Sequence, residues 1–428
     1  MGVLKEYSNL QEKIYTETLD NGLKVSICLK KGFKKFCVLF GTNLGSLVKK
    51  FNTDDGSVYD LPLGVAHFLE HKMFAMKDDS DAANEFSKYG LDVNAYTDYT
   101  QTVYLFSGTN NIEKGIELLL DFVQEPYFTD SNVETEKGII CQELKMYLDN
   151  PNTQIYNGLM NNLYKDFGYK YDVGGTIEEV ERTTKEDLYL CYNNYYHPSM
   201  MEFLIVGDVD YNEMINLIKN NQSKKTFPKF TNPVMLVEEE DINPYVKSSV
   251  REMDVALPKV ALGFKLPFHK LDKNELLLME LGYKTILEYY FGDQTKFYKN
   301  LISNDIISGG FEDGVYLNNY CGYIMFKSDS KDPELFINAI KKRIDSMKNS
   351  SISNSFLKRM KKSFIGTMIT ALNSIEYVGY NYIDFNQKNC DIFDVLNIID
   401  MLELDYLNKL KKNFDKKILT TFIIKPKK

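Results

Sequence analysis

The 428-residue chain reads as an α+β protein, an α/β sandwich class, made of two related domains. Its length suits two domains of about 100–200 residues each. Short strand-like runs alternate with longer amphipathic stretches along the whole chain. The order of those segments returns in the second half after about 200 residues, a period that fits domain duplication and far exceeds the 20–50 residues of a solenoid repeat.

The elements follow in order. Residues 23–29 (LKVSICL) alternate weakly and 36–40 (FCVLF) form an apolar run, so both predict strands. Gly, Asn and Asp crowd residues 41–60, which predicts a loop. Pro62 suits the first turn of a helix that carries GVAHFLEHKMFAM. Residues 102–107 (TVYLFS) predict another strand, and Ile112, Ile116, Leu119, Leu120 and Val123 share one helical face. Asp130 or Ser131 offers a cap for the next helix, which runs as far as Asn150 and stops at Pro151. Residues 203–206 (FLIV) predict a buried strand that ends at Gly207-Asp208. Three prolines between Pro228 and Pro244, with the acidic run Glu238 to Asp241, mark a linker at 229–245. It divides a first domain, 1–228, from a second, 246–428. In the second, VALPKVALGF (255–264) answers the early strands. DPELFINAIKKRIDSM parallels NIEKGIELLLDFVQEPYF, and SFLKRMKKSFIGTMITALNS parallels SNVETEKGIICQELKMYLDN.

Bulk properties narrow the function. A net charge of −9 without clustered Lys and Arg argues against nucleic acid, whose phosphates need such clusters. No apolar run approaches a membrane span, and the opening MGVLKEYSNLQEKIY has no apolar signal region. The six cysteines are irregularly spaced with no CxxC pair, so they read as free thiols and the expected compartment is the cytoplasm.

The chemistry lies in His67-Phe68-Leu69-Glu70-His71, the inverted zinc motif H-x-x-E-H. On a helix, positions i, i+3 and i+4 share a face, so both imidazoles converge with a carboxylate beside them. Among four histidines this pattern arises by chance in roughly a few sequences per thousand. A catalytic zinc needs three protein ligands and one open position, so a third ligand must come from elsewhere. Glu136 and Glu143 lie seven residues apart, almost two full helical turns, and face the same way. The apolar stretch between them suggests a buried side, where acids are usually paired or metal-bound. The same spacing also suits two exposed acids. His197, in YYHPS, predicts a turn or helix-end residue, and His269, in LPFHK, a loop residue; neither has a second ligand at metal spacing.

These residues resemble the insulinase or pitrilysin family of zinc peptidases, M16, in its short bacterial processing-peptidase-like branch. The likeness covers nearly the whole chain. It is anchored on GVAHFLEHKMF, VNAYT (93–97), VETEKGIICQE (133–143), YYHPS (195–199) and LIVGDVD (204–210). The resemblance implies two homologous domains, each a mainly antiparallel sheet flanked by helices. It implies Zn2+ held by His67, His71 and Glu143, with Glu70 as general base and Glu136 in a supporting role at the catalytic site. It makes Asn94, Ala95 and Tyr96 part of an edge strand that pairs with an extended peptide substrate. The second domain has no H-x-x-E-H; Gly366 falls opposite Glu143 and Arg359 opposite Glu136. In the family the empty domain often supplies an Arg and a Tyr to the substrate. Here FYKNLISNDIISGGF (297–311) puts Ile302 and Gly309 at those places, with no Arg between Arg251 and Arg343. The expectation is therefore an endopeptidase of peptides or unstructured segments, paired with a related subunit that supplies the Arg and Tyr. A homodimer, or a non-catalytic or weakly active assembly or partner subunit of the same family, is the alternative.

Overall fold

The strand-like runs pair because β-branched and aromatic side chains pack well on a pleated, buried surface. In the computed structural model, which describes residues 2–77, 80–267, 274–388 and 390–427, they build two main sheets. The seven-stranded sheet runs Val3–Tyr7, Glu12–Thr18, Lys24–Leu29, Met201–Gly207, Phe36–Thr42, Thr102–Gly108, Asp92–Thr97. Lys24–Leu29 and Met201–Gly207 are parallel, and the other neighbours are antiparallel. Phe36–Thr42 is buried at every position because helices cover both faces. On one face Tyr104 meets Phe122 of helix Ile112–Gln124. On the other, Ile383 of helix Ile375–Gln387 lies against Gly41.

The five-stranded sheet runs Ser248–Met253, Thr420–Pro426, Lys259–Lys265, Gly322–Asp329, Glu312–Leu317. Here Ser248–Met253 and Thr420–Pro426 are parallel and the other neighbours antiparallel. Counted from Lys24–Leu29 and from Ser248–Met253, both sheets have the strand order 1-5-2-4-3. The chain is thus a duplicated, mainly antiparallel α+β fold, as the repeated order of its segments predicts. The core of the second sheet gathers Phe264, Tyr283, Phe291, Phe326 and Ile340.

Contacts group the chain into two compact units. The first takes residues 1–144, 171–236 and 369–387; the second takes 145–170, 237–368 and 388–428. Neither unit is one continuous stretch. Helix Pro151–Leu163 packs on strands Lys259–Lys265 and Thr420–Pro426, while Ile375–Gln387 covers the seven-stranded sheet.

Several local expectations change. Residues 41–60 are not wholly loop: Lys50–Asn52 and Val58–Asp60 pair, joined by Val234–Met235. Buried Phe51, packed on Tyr59 and Tyr195, drives this small sheet. The motif helix starts at Val65, after Gly64, so Pro62 precedes it. Helix Asp130–Asp149 is capped by Thr129 rather than Asp130 or Ser131. Thr129 Oγ1 accepts from the Asn132 amide at 3.1 Å, and Asn132 Oδ1 accepts from the Thr129 amide at 2.9 Å. Pro151 ends that helix and also opens the next, where its missing amide costs nothing. In 255–264 the strand begins at Lys259, after Pro258, which cannot donate to a ladder. All six cysteines are free and buried. His197 Nδ1 accepts from the Ser199 amide at 3.1 Å, and its ring stacks on Phe230 at 4.9 Å, a turn residue as expected. His269 lies outside the described residues. Among the described residues, no helix is long and apolar enough to cross a membrane.

In the first unit Lys30 and Glu12 form a buried ion pair, at 5% and 9% side-chain exposure. Lys30 also donates to the Leu372 carbonyl at 2.7 Å. Burial pushes the Glu12 carboxyl up, and Lys30 works against that. Removing the cation strands a buried carboxylate, so Lys30→Met should destabilise the protein by about 3–5 kcal/mol. Urea unfolding measures this, and an unchanged midpoint would contradict it.

Candidate metal centre

The motif helix, Val65–Met73, forms because Val65, Ala66, Phe68, Leu69 and Met73 are buried, against strand Asp92–Thr97 and helix Lys185–Tyr195. Its start is tightly docked. Gly64 and Gly175 both have positive φ, 81° and 80°. A Cβ on Gly64 would lie 2.1 Å from the Gly174 carbonyl oxygen, and one on Gly175 2.3 Å from that of Leu63. Only glycine permits that approach. Glu179, paired with Arg182 at 2.6 Å, accepts from the Leu63 amide at 2.9 Å and fixes the chain just before the helix.

Helix Asp130–Asp149 buries Val133, Ile140 and Leu144 and brings Glu136 and Glu143 to the motif. Glu143 Oε2 lies 3.9 Å from His67 Nε2 and 3.7 Å from His71 Nε2. One ligand atom from each of the three residues falls within 4.8 Å of the others, the one such group among the described residues. A tetrahedral zinc with bonds of about 2.0–2.2 Å spaces its donors about 3.4 Å apart, so both carboxylate–imidazole spacings are only a few tenths of an ångström wide.

The imidazoles present Nε2 to this point for identifiable reasons. Glu136 Oε1 lies 3.1 Å from His71 Nδ1, and buried Lys72 sits 3.5 Å from Glu136 Oε2. A carboxylate on Nδ1 fixes the tautomer and turns the Nε2 lone pair outward. Burial works to raise the Glu136 carboxyl, but His71 and Lys72 together hold it below its ordinary value. Burial also opposes protonation of His71, yet Glu136 wins and raises it. His67 is pulled down to about 4, chiefly by burial and then by His71. Its Nδ1 is buried without a hydrogen-bond partner. A neutral imidazole, an oriented imidazole and a carboxylate form a nitrogen–nitrogen–oxygen set that suits zinc and leaves one position open. Glu70, on the same helix, is raised by burial, against a hydrogen bond from Thr97.

Asp92–Thr97 is the last strand of its sheet. Ala95 pairs with Tyr104 and shares the face toward Phe122 and the motif helix. Asn94 and Tyr96 alternate to the other face, where Tyr96 meets Tyr380 at 5.5 Å between ring centres. The Asn94 side chain turns back, and its Oδ1 accepts from the Ala95 amide at 2.9 Å. The structure therefore gathers His67, Glu70, His71, Glu136 and Glu143. Asn94 and Tyr96 stand on the reverse of the sheet, with the Ala95 backbone at its edge. Four contributors escape the motif reading: Lys72, Thr97, the Gly174-Gly175 turn and Glu179. The pattern G-G-T-x-x-E at 174–179, a tight turn followed by a helix cap, is the signal that points to the last two.

In the second unit, helix Glu275–Phe291 takes the same place between second and third strands. It carries no histidine.

Comparison with known proteins agrees with this geometry. The profile of insulinase, peptidase family M16, matches residues 52–177, and that of the peptidase M16 inactive domain matches 182–364. A Bacillus subtilis (strain 168) protein described as an uncharacterized zinc protease, YmfH, is 37% identical over 99% of both chains. The beta subunit of the Rattus norvegicus mitochondrial-processing peptidase is 27% identical over 39% of this chain and 35% of its own. The crystal structure of an M16-like peptidase from Alicyclobacillus acidocaldarius superposes with a TM-score of 0.92 at 30% identity, covering 97% of this chain and 99% of the other.

Proposed function

This chain belongs to the insulinase family, M16, and is a metallopeptidase, and on that footing we propose a zinc endopeptidase acting on peptides or unstructured polypeptide segments. The observation that carries the reading is the convergence of His67 Nε2, His71 Nε2 and Glu143 Oε2 beside Glu70. These three side chains would hold the ion. Zinc, when bound, supplies Lewis acidity and a lowered water pKa. Glu70 takes the proton of the attacking water and later returns it to the leaving amine. Glu136 acts one residue removed, holding His71 at Nδ1. Strand Asp92–Thr97 receives the substrate as an added strand. For the Ala95 amide to donate to a peptide carbonyl, Asn94 Oδ1 must release it. Tyr96 supports that edge from behind.

The catalytic domain is assigned to residues 1–228, the linker to 229–245 and the inactive partner domain to 246–428. Free, buried thiols suit a reducing compartment, and the cytoplasm is assigned on that basis. Ile302, half-exposed on helix Lys296–Ser303, and Gly309, just before strand Glu312–Leu317, offer no polar side chain to a substrate. A guanidinium and a phenol can hold main-chain carbonyls; these cannot. The reading is therefore a heterodimer with a related subunit that supplies Arg and Tyr. A homodimer would repeat the same deficiency. A weakly active assembly subunit remains the second reading, favoured by that deficiency alone.

Glu70→Gln should abolish hydrolysis of a fluorogenic peptide mixture while one zinc per chain stays bound, because the base is lost and the ligands remain. Near-wild-type turnover would assign the base elsewhere. Purified alone, the chain should cleave weakly, and a related subunit should raise the rate about a hundredfold, the scale on which about 1 Å of substrate misplacement costs rate. Full activity alone, unchanged by the added subunit, would rule the partner out.

A further inference from the structure

A general base needs more than nearness: its receiving oxygen must face the water. Glu70 has two carboxylate oxygens, and the structure treats them differently. Thr97 Oγ1 lies 2.6 Å from Glu70 Oε2. Thr97 is the last residue of strand Asp92–Thr97 and pairs across the ladder with Thr102, whose Oγ1 is 3.2 Å away. One hydroxyl proton therefore has two possible acceptors.

The neighbours settle which acceptor takes it. Thr102 is fully buried, and its own hydroxyl donates to the Leu44 carbonyl at 2.9 Å. A hydroxyl has one proton to give, so Thr102 has none left for Thr97. Thr97 keeps its proton for the shorter contact, to the charged oxygen, where a charge-assisted hydrogen bond is strongest. Thr97 is also β-branched, with a restricted χ1, so its hydroxyl stays in place. Buried Thr102 fixes Thr97, and Thr97 fixes the carboxylate.

We propose that Thr97 is a positioning residue that holds Glu70 Oε2, leaving Oε1 as the oxygen that accepts the proton of the attacking water. The inference rests on Glu70 being the base. It also gives the edge strand a second task, since the segment that borders the substrate sets the orientation of the base.

The test is steady-state cleavage of one fluorogenic peptide by the full chain, with its partner subunit present where turnover requires it. Thr97→Val keeps the shape and removes the donor; Thr97→Ser keeps the donor; Thr97→Ala is a second donor-free variant should the valine fail to fold. The donor-free variants should lose about tenfold or more in kcat with KM and zinc content unchanged, and Thr97→Ser should stay within about threefold of wild type. A donor-free variant within twofold of wild type, or a serine variant as poor as the valine, would overturn the inference. Glu70→Gln, run alongside, separates the layers. If it is dead while Thr97→Val is normal, this inference alone fails; if it turns over normally, the base assignment and this inference fall together.

Discussion

Two helices must be locked side by side before any metal can be held, and that constraint governs the first unit. His67 and His71 come from one helix and Glu143 from another, so the three ligand atoms meet only if neither helix slides. Apolar burial seats each helix: Phe68, Leu69 and Met73 are buried on the motif helix, which packs on strand Asp92–Thr97 and helix Lys185–Tyr195, and Val133, Ile140 and Leu144 are buried on the other. Burial alone is not directional. The start of the motif helix is fixed against the 174–179 turn by contacts that tolerate no shift, the two positive-φ glycines and the Leu63 amide on Glu179. A turn of ordinary residues at 174–175 would push the motif helix away.

The cost of this arrangement is a concentration of ionisable groups away from water. Glu70, His71, Glu136 and Lys72 are all largely buried, and each is answered by a partner: Thr97, Glu136, and the Glu136–Lys72 pair. Buried charge is tolerable when it is paired in this way. The unanswered atom is His67 Nδ1. Nearly every polar group around the cluster is therefore committed to orienting another, while three lone-pair donors face one another across the same space. Such a donor set suits a cation.

The sequence carried much of this. H-x-x-E-H is legible because helical periodicity alone puts its three polar residues together, and the duplication is legible because strands and helices return in the same order. Other features depend on contacts that periodicity does not encode. Glu136 and Glu143 are indistinguishable by spacing; only the fold places one against His71 Nδ1 and the other toward both Nε2 atoms. The cap at Thr129 beats Asp130 because its hydroxyl reaches the Asn132 amide, a matter of backbone geometry. The interleaving of the two units is invisible in sequence, because an amphipathic pattern such as Pro151–Leu163 shows that a face is buried but not which sheet buries it. The second unit keeps the topology without the motif: its equivalent helix has no histidine and buries Leu276, Leu277, Met279, Ile286 and Phe291, a packing element where the first unit gathers His67, His71 and Glu143.

Anomalous diffraction at the zinc absorption edge tests the central claim most directly, since it locates the ion rather than its effects. The account predicts one peak per chain, within about 2.0–2.2 Å of His67 Nε2, His71 Nε2 and a Glu143 carboxylate oxygen, with a fourth position open. A peak elsewhere, ligation through His71 Nδ1, or Glu136 in place of Glu143 would contradict it.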